Sequence, residues 1–316
     1  MRSKDAGLLD ASSRIFQNST LDGSQMNSVR AGMVAAAATA ATLVLTGCVA
    51  STEPAESTKS ESFSFEHIHE LVVDQGDGTL LVATHEGLYG LEVGDEGVSA
   101  TTGPLGELDF DPMGFTIADD VAYASGHPGP KTPDTFGTPN LGLITSTDRG
   151  ETWVNASLTG ETDFHSLAVS AGSGDAKVFG LDSSQGLLRR SLDGGKTWTD
   201  GAALAARDIA SIDSEVYATT AEGLVVSSDD GASFSVDPEA PKLYLLANDA
   251  SGQLAGIDTS GAIWTRGPDG TGVVGEKITG TPEAMAIEGK RIFVADERGI
   301  AFTDDAGVTW TVLSPA

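Results

Sequence analysis

Ser191-Leu-Asp193-Gly-Gly195-Lys-Thr197-Trp198 is one of four copies of a single short turn. The others are Ser146-Thr-Asp148-Arg-Gly150-Glu-Thr152-Trp153, Ser227-Ser-Asp229-Asp-Gly231-Ala-Ser233-Phe234 and Thr303-Asp-Asp305-Ala-Gly307-Val-Thr309-Trp310. Each residue type has a physical task. A tight hairpin leaves backbone N–H groups unpaired, a short carboxylate accepts them, and glycine takes positive φ without a Cβ clash. The hydroxyl and the aromatic, which always stands five residues beyond the aspartate, pin the turn to its sheet. Asp148, Asp193, Asp229 and Asp305 are therefore expected to be structural, and Trp153, Trp198 and Trp310 to be packing residues. Four copies mark a repeated β-unit.

Working outward, a second pattern precedes the turns in Val82-Ala-Thr-His-Glu-Gly87-Leu88, Tyr217-Ala-Thr-Thr-Ala-Glu-Gly223-Leu224 and Phe293-Val-Ala-Asp-Glu-Arg-Gly299-Ile300. It reads as an apolar strand, a polar turn, a glycine and another strand. Its glycines fall at 87, 142, 186, 223, 261 and 299, and the last three steps are 37, 38 and 38 residues, the length of a four-stranded propeller blade. Six glycines predict an all-β, six-bladed β-propeller. In the first and fifth blades Val93 and Gly267 stand where the aspartate would be, so those two turns are read as decayed. Within a blade the strands run A to D from the axis outward. A strands are predicted to begin near Ile68, Met113, Phe164, Asp208, Leu243 and Glu283. This order places the D-to-A and B-to-C connections on one rim of the ring, and the A-to-B and C-to-D turns on the other.

The N-terminal quarter does not share the repeat. Arg30 precedes an alanine-rich apolar run, Ala31–Leu45, of signal-peptide length, and the run ends in Leu45-Thr-Gly-Cys48, which resembles the lipobox of bacterial lipoproteins. Cys48 is the only cysteine, which excludes a disulfide within the chain and marks it for lipidation. A charged n-region begins naturally at Met26, so residues 1–25 are expected to be an over-extended start. Ser51–Ser62 has a tether's composition of Ser, Thr, Glu, Pro and Lys. The domains expected are a signal peptide over 1–47, a lipidated cysteine and tether over 48–62, and the propeller over 63–316, carried on the outer face of a membrane. With 46 acidic against 18 basic residues the formal charge is −28, which disfavours nucleic acid as a partner.

All five histidines lie in the first three blades, and the strand map puts every one on the D-to-A rim. His67 and His69 enter the first A strand, His165 enters the third, and His85 and His127 occupy B-to-C connections; Asp163 and Glu70 lie beside them. Aligning the A strands by their apolar pairs makes His69, Met113, His165, Asp208, Leu243 and Glu283 equivalent. Imidazoles with a methionine suit copper, and imidazoles with a carboxylate suit zinc or another borderline cation. His69, His165 and Met113 are thus candidate ligands of a transition metal, and His67, His85, His127, Glu70 and Asp163 candidate ligand-binding groups. His127 sits in Ser125-Gly-His127-Pro, inside a loop running to Asn140 that is long enough to cover a site.

The four turns are similar to Asp boxes, and with its blades the chain resembles the sialidase/BNR superfamily of propellers, which also includes sortilin-like and photosystem-assembly propellers without hydrolase activity. His67-Ile-His69-Glu-Leu, Ala83-Thr-His85-Glu-Gly-Leu, Met113-Gly-Phe, Ser125-Gly-His127-Pro, Pro139-Asn-Leu-Gly-Leu and Asp163-Phe-His165 resemble a family of small secreted bacterial propellers labelled glycosyl hydrolases. That resemblance spans most of the chain beyond Phe65. It implies a glycoside hydrolase acting on extracellular glycans, for which two carboxylates are needed. Asp208 and Glu283 are the candidates, with Asp163, Glu70 and Glu86 as alternatives. A sialidase grips its substrate with three arginines, whereas only Arg207 and Arg298 map near this rim, so neuraminidase activity is not expected. A small molecule, a metal or a glycan is the expected ligand, and a pure interaction scaffold is the third reading.

Overall fold

The computed structural model describes residues 64–95, 97–171 and 174–314. These form six four-stranded antiparallel sheets, each built from four consecutive strands. The A strands are Ile68–Val73, Asp111–Ala118, Phe164–Ser170, Ala206–Ile212, Leu243–Asn248 and Ala284–Glu288. Each packs against the A strand of the next sheet, and the sixth packs against the first, so the six sheets close as the blades of a propeller. The third blade follows its expected pattern: A is Phe164–Ser170, B is Lys177–Asp182, C is Leu187–Ser191 and D is Thr199–Ala203.

Six closed blades need six interfaces, and six apolar clusters fill them. The cluster joining the last blade to the first sets Ala284, Ala286, Phe293 and Phe302 against Ile68, Leu71, Leu80 and Val82. Ring closure therefore rests on side-chain packing between sheets, with no strand exchanged between the two ends of the domain. Because a blade is covered on both faces, its B strand is apolar without alternation: Leu80–Thr84 is buried at every residue.

All six marker glycines have positive φ, from 64° at Gly186 to 140° at Gly223. At Gly142, a Cβ would come within 2.4 Å of the Leu158 carbonyl, so both conformation and space demand glycine there. The four aspartate turns share one hydrogen-bond plan. In the copy at 191–198 the Ser191 hydroxyl donates to Asp193 Oδ1 (2.7 Å) and accepts from Gly195 N–H (2.9 Å), while Asp193 accepts from Thr197 N–H (2.8 Å) and the Thr197 hydroxyl (2.6 Å). Trp198 Nε1–H reaches Ser157 Oγ at 2.8 Å, tying the turn to the neighbouring blade. Hydrogen bonds from Thr197 and Ser191 hold the Asp193 carboxyl down to about 2. Blades one and five lack this plan and join C to D by short turns after Gly94 and Arg266.

Candidate metal centre at the histidine rim

Neighbouring A strands pack without sharing a hydrogen-bond ladder, so N–H groups facing the gap need side-chain acceptors. Ser125 Oγ takes Phe164 N–H (2.9 Å), and Glu283 Oε2 takes Ile68 N–H (2.9 Å) across the closing interface. Asp208 does most. Its Oδ1 accepts the Ser166 hydroxyl (2.9 Å) and Ile209 N–H (2.9 Å), and its Oδ2 accepts Leu246 N–H (2.8 Å), linking blades three, four and five. Asp208 is buried, and burial raises its carboxyl pKa against the pull of those hydrogen bonds.

Above this level five A strands are bulged. Pairing with the B strand slips between Ile68 and Glu70, Pro112 and Gly114, Phe164 and Leu167, Ala206 and Ile209, and Leu243 and Leu245. A bulge adds a residue and re-aims its side chain. The residues equivalent to His69 are therefore Met113, His165, Arg207 and Tyr244, whereas Asp208 and Leu243 belong to neighbouring registers and the sixth A strand is regular. The apolar-pair alignment is corrected accordingly, since it assumed unbroken pairing in every blade.

The bulges gather the histidines into two clusters of the same composition. In the first, His69 Nε2 lies 3.2 Å from His85 Nδ1, and both lie 2.9 Å from Asp111, one on each carboxylate oxygen. His69 is the buried anchor, with a side chain only 5% exposed against 49% for His85. Asp111 Oδ1, although close to His69, is buried and has no aligned hydrogen bond. Burial pushes the Asp111 carboxyl up, but the adjoining imidazoles of His69 and His85 outweigh it and hold the pKa below the usual range. His67, with φ of 53°, stacks on His85 at 5.1 Å between centroids, and its Nδ1 stands 3.7 Å from Glu283 Oε1.

In the second cluster, Asp163 Oδ2 lies 2.7 Å from His165 Nε2 and 3.2 Å from His127 Nε2. Asp163 Oδ1 is buried with no hydrogen-bond partner. The hydrogen bond to Asp163 raises the His165 pKa, partly opposed by burial and aided by the charges of Asp163 and Asp111. His127 Nδ1 is 3.3 Å from the Pro139 carbonyl oxygen, supplied by the far end of the long loop. A carbonyl only accepts, so Nδ1 is the proton-bearing nitrogen facing it, and in the neutral form of the ring Nε2 turns a lone pair towards the Asp163 carboxylate. Two acceptors at 3.2 Å call for a proton or a cation between them. The clusters adjoin, because Asp111 and His127 are direct partners across the A and B strands of the second blade.

In each cluster the three ligand atoms lie within 4.8 Å of one another. The closest separations, 2.7–3.2 Å, approach the ~3.3 Å expected between ligands held ~2.0–2.1 Å from a tetrahedral ion. The sequence grouped His69 and His165 with Met113 as one ligand set; in the structure His69 lies with His85 and His165 with His127 and Asp163, in separate clusters, with Met113 in neither and His67 at the edge of the first. Asp111 was missed. Its signal was present: Asp111-Pro-Met113 has the spacing of Asp163-Phe-His165, each an aspartate two residues before the bulge position with a buried residue between. Met113 occupies the bulge, and the carboxylate two residues earlier converges with the imidazoles. On the far side of the rim Arg207 stacks on Tyr244 at 4.0 Å, and among the described residues it is the one arginine with neither a hydrogen bond nor an ion pair. Arg298 is engaged by Asp296 and stacked on Trp310.

The main axial cavity does not open among these histidines. It has a volume of about 540 Å³, is lined by A strands of all six blades from Glu70 and Asp208 inward, and reaches the A-to-B turns at the opposite rim. None of the five histidines lines it, because the bulges hold them above its inner end. Glu70, on its wall, has its pKa pushed well up by burial and by the charge of Asp208, with Arg207 opposing.

Solved structures bear out the architecture. A chain of the nidogen/laminin complex is 16% identical, with a TM-score of 0.57, and the match covers 75% of this chain and 93% of that one. The GH74 enzyme of Niastella koreensis is 15% identical, with a TM-score of 0.50, and the match covers 78% of this chain but 45% of that one. YCF48 bound to D1 peptide is 17% identical, with a TM-score of 0.47, and the match covers 79% of this chain and 84% of that one. At these identities the likeness to the first two is one of fold. No protein-family model matches the chain, and no curated protein matches it in sequence.

Proposed function

We propose that this propeller binds two borderline transition-metal ions, zinc by preference, side by side on its histidine rim. One ion is held by His69, His85 and Asp111 and the other by His127, Asp163 and His165. The observation that carries this reading is the pair of His-His-Asp clusters, each with a half-buried carboxylate whose one buried oxygen makes no aligned hydrogen bond although imidazole nitrogens stand beside the carboxylate. A satisfied polar plug would not leave those oxygens orphaned. Zinc is preferred to copper(I) because the converging donors are nitrogen and oxygen and the Met113 thioether is in neither cluster. Pro139 is the outer partner that fixes the His127 tautomer. Three protein ligands leave each ion one open position, the arrangement of a site that exchanges water or a ligand. Cys48 and the Ser51–Ser62 tether, both outside the described residues, would hold this disc by a lipid at the outer face of a membrane, where such a rim can take up metal or a metal-bound ligand.

Protein purified without chelators and loaded with Zn²⁺ should bind two equivalents per chain. Asp111→Asn and Asp163→Asn should each remove one, and His69→Ala/His165→Ala should remove both while circular dichroism stays native. Two equivalents retained by that double variant would refute the assignment.

A further inference from the structure

The axial cavity is a second site, on the rim opposite the histidines. Its inner end carries two neighbouring carboxylates. Asp208 spends both oxygens on Ser166, Ile209 and Leu246, whereas the Glu70 side chain makes no hydrogen bond or ion pair among the described residues. Arg207, the cation whose charge reaches Glu70, is stacked on Tyr244 and pairs with neither carboxylate. Between this end and the opening the lining mixes aliphatic side chains, among them Val72, Ile117, Val169 and Leu246, with the hydroxyls of Thr116, Ser170 and Ser211. At the opening Asp119, Asp120 and Asp213 are exposed, and their side chains have no hydrogen bond or ion pair among the described residues. Their positive φ, 47–62°, explains why aspartate suits those turns, but three uncompensated charges around one opening still define its potential.

The bore therefore changes in character along its length: carboxylate, a mixed aliphatic and hydroxyl wall, carboxylate. Glu70 and Asp74 mark the two levels on the first A strand, and four residues of extended chain separate them, ~13 Å at ~3.3 Å per residue. Asp74 itself is held by Arg149 and by Gly76 N–H, which leaves the outer charge to the three exposed aspartates. From this pattern we propose that the axial cavity binds a linear aliphatic polyamine, one terminal ammonium at Glu70, the chain along the mixed wall with its inner nitrogen facing the hydroxyls of Thr116, Ser170 and Ser211, and the other terminal ammonium among Asp119, Asp120 and Asp213. A single metal cation would use neither the aliphatic side chains of the wall nor the spacing, and an anion is excluded by the charge. The site is independent of the metal reading, since no rim histidine lines the cavity.

The test is isothermal titration of the full chain with spermidine, in EDTA and about 0.15 M salt, where loose surface association of a polycation is largely screened. One saturable equivalent is expected, and butylamine, with a single ammonium group, should bind far more weakly. Glu70→Gln keeps the shape of the side chain and should weaken spermidine binding by roughly tenfold or more, the loss of one charge-assisted contact. The exposed pair Asp119→Asn/Asp120→Asn, which folding does not depend on, should weaken it several-fold and decides the question if Glu70→Gln does not fold. Absence of saturable binding, or several equivalents that neither variant changes, would overturn the proposal in favour of counterion association with an acidic surface. Neither result bears on the zinc stoichiometry, so the two sites stand or fall separately.

Discussion

Asp208→Ala separates a structural role for this carboxylate from a catalytic one. The substitution strips acceptors from the Ser166 hydroxyl and Leu246 N–H, both at buried residues; Ile209 N–H keeps a partner in Ser166 Oγ at 3.2 Å. Two buried donors are thus orphaned, and at ~1–3 kcal/mol each the loss is about 2–6 kcal/mol, a large part of the ~5–15 kcal/mol by which a domain is ordinarily stable. Relief of the cost of burying a carboxylate moves the result towards the lower half of that range. Asp208→Asn keeps one acceptor but turns an amide donor towards the other cluster of donors, so it should fall between wild type and alanine. Equilibrium urea unfolding, with the slope unchanged, measures the difference. A catalytic acid held in place by other groups behaves differently: its removal leaves stability unchanged or raises it. A shift within about 0.5 kcal/mol for Asp208→Ala would therefore refute the clasp between blades three, four and five.

Two further outcomes follow from the titrating groups. Asp193 and Asp229 are held down to about 2, chiefly by hydrogen bonds from Thr197 and Ser233, against ~3.9 for a free aspartate. A lowered folded-state pKa contributes stability that is complete above the unfolded value and lost as pH falls through the folded one. Urea midpoints should hold steady down to about pH 4 and fall towards pH 2, and Asp193→Asn/Asp229→Asn should have a lower midpoint at pH 6 and a shallower acid fall; equal slopes would show the turns to be uninvolved. At the rim, zinc needs neutral imidazoles, and the hydrogen bond to Asp163 keeps His165 protonated to higher pH than an ordinary histidine. Zinc binding near neutral pH should release protons and strengthen as pH rises; calorimetry in two buffers of different ionisation enthalpy reads the release, and zero release would contradict ligation by His165.

Much of the fold could be read from the residues because its information is local. A hydroxyl, an aspartate, a glycine and an aromatic at fixed spacing close one turn by their own hydrogen bonds, and recurrence of that turn and of the six positive-φ glycines sets blade length and number. The same periodicity sorts the loops onto two rims, which is why all five histidines could be assigned to one of them. What each histidine meets there is not local. Strand alternation describes a regular strand, but His69, Met113, His165, Arg207 and Tyr244 stand at bulges, and a bulge is settled by how an A strand fits both its own B strand and the crowded axis. Those slips make Asp111 the partner of His69 and His85 from the adjacent blade, and take Asp208 out of the rim into the gaps between A strands, where backbone donors await an acceptor. They also leave the histidines out of the lining of the axial cavity, which is lined at its other end by the aspartates of the opposite turns. Turn chemistry along the chain determined the architecture; the packing of six strands around one axis, which no single segment encodes, decided which side chains share a site.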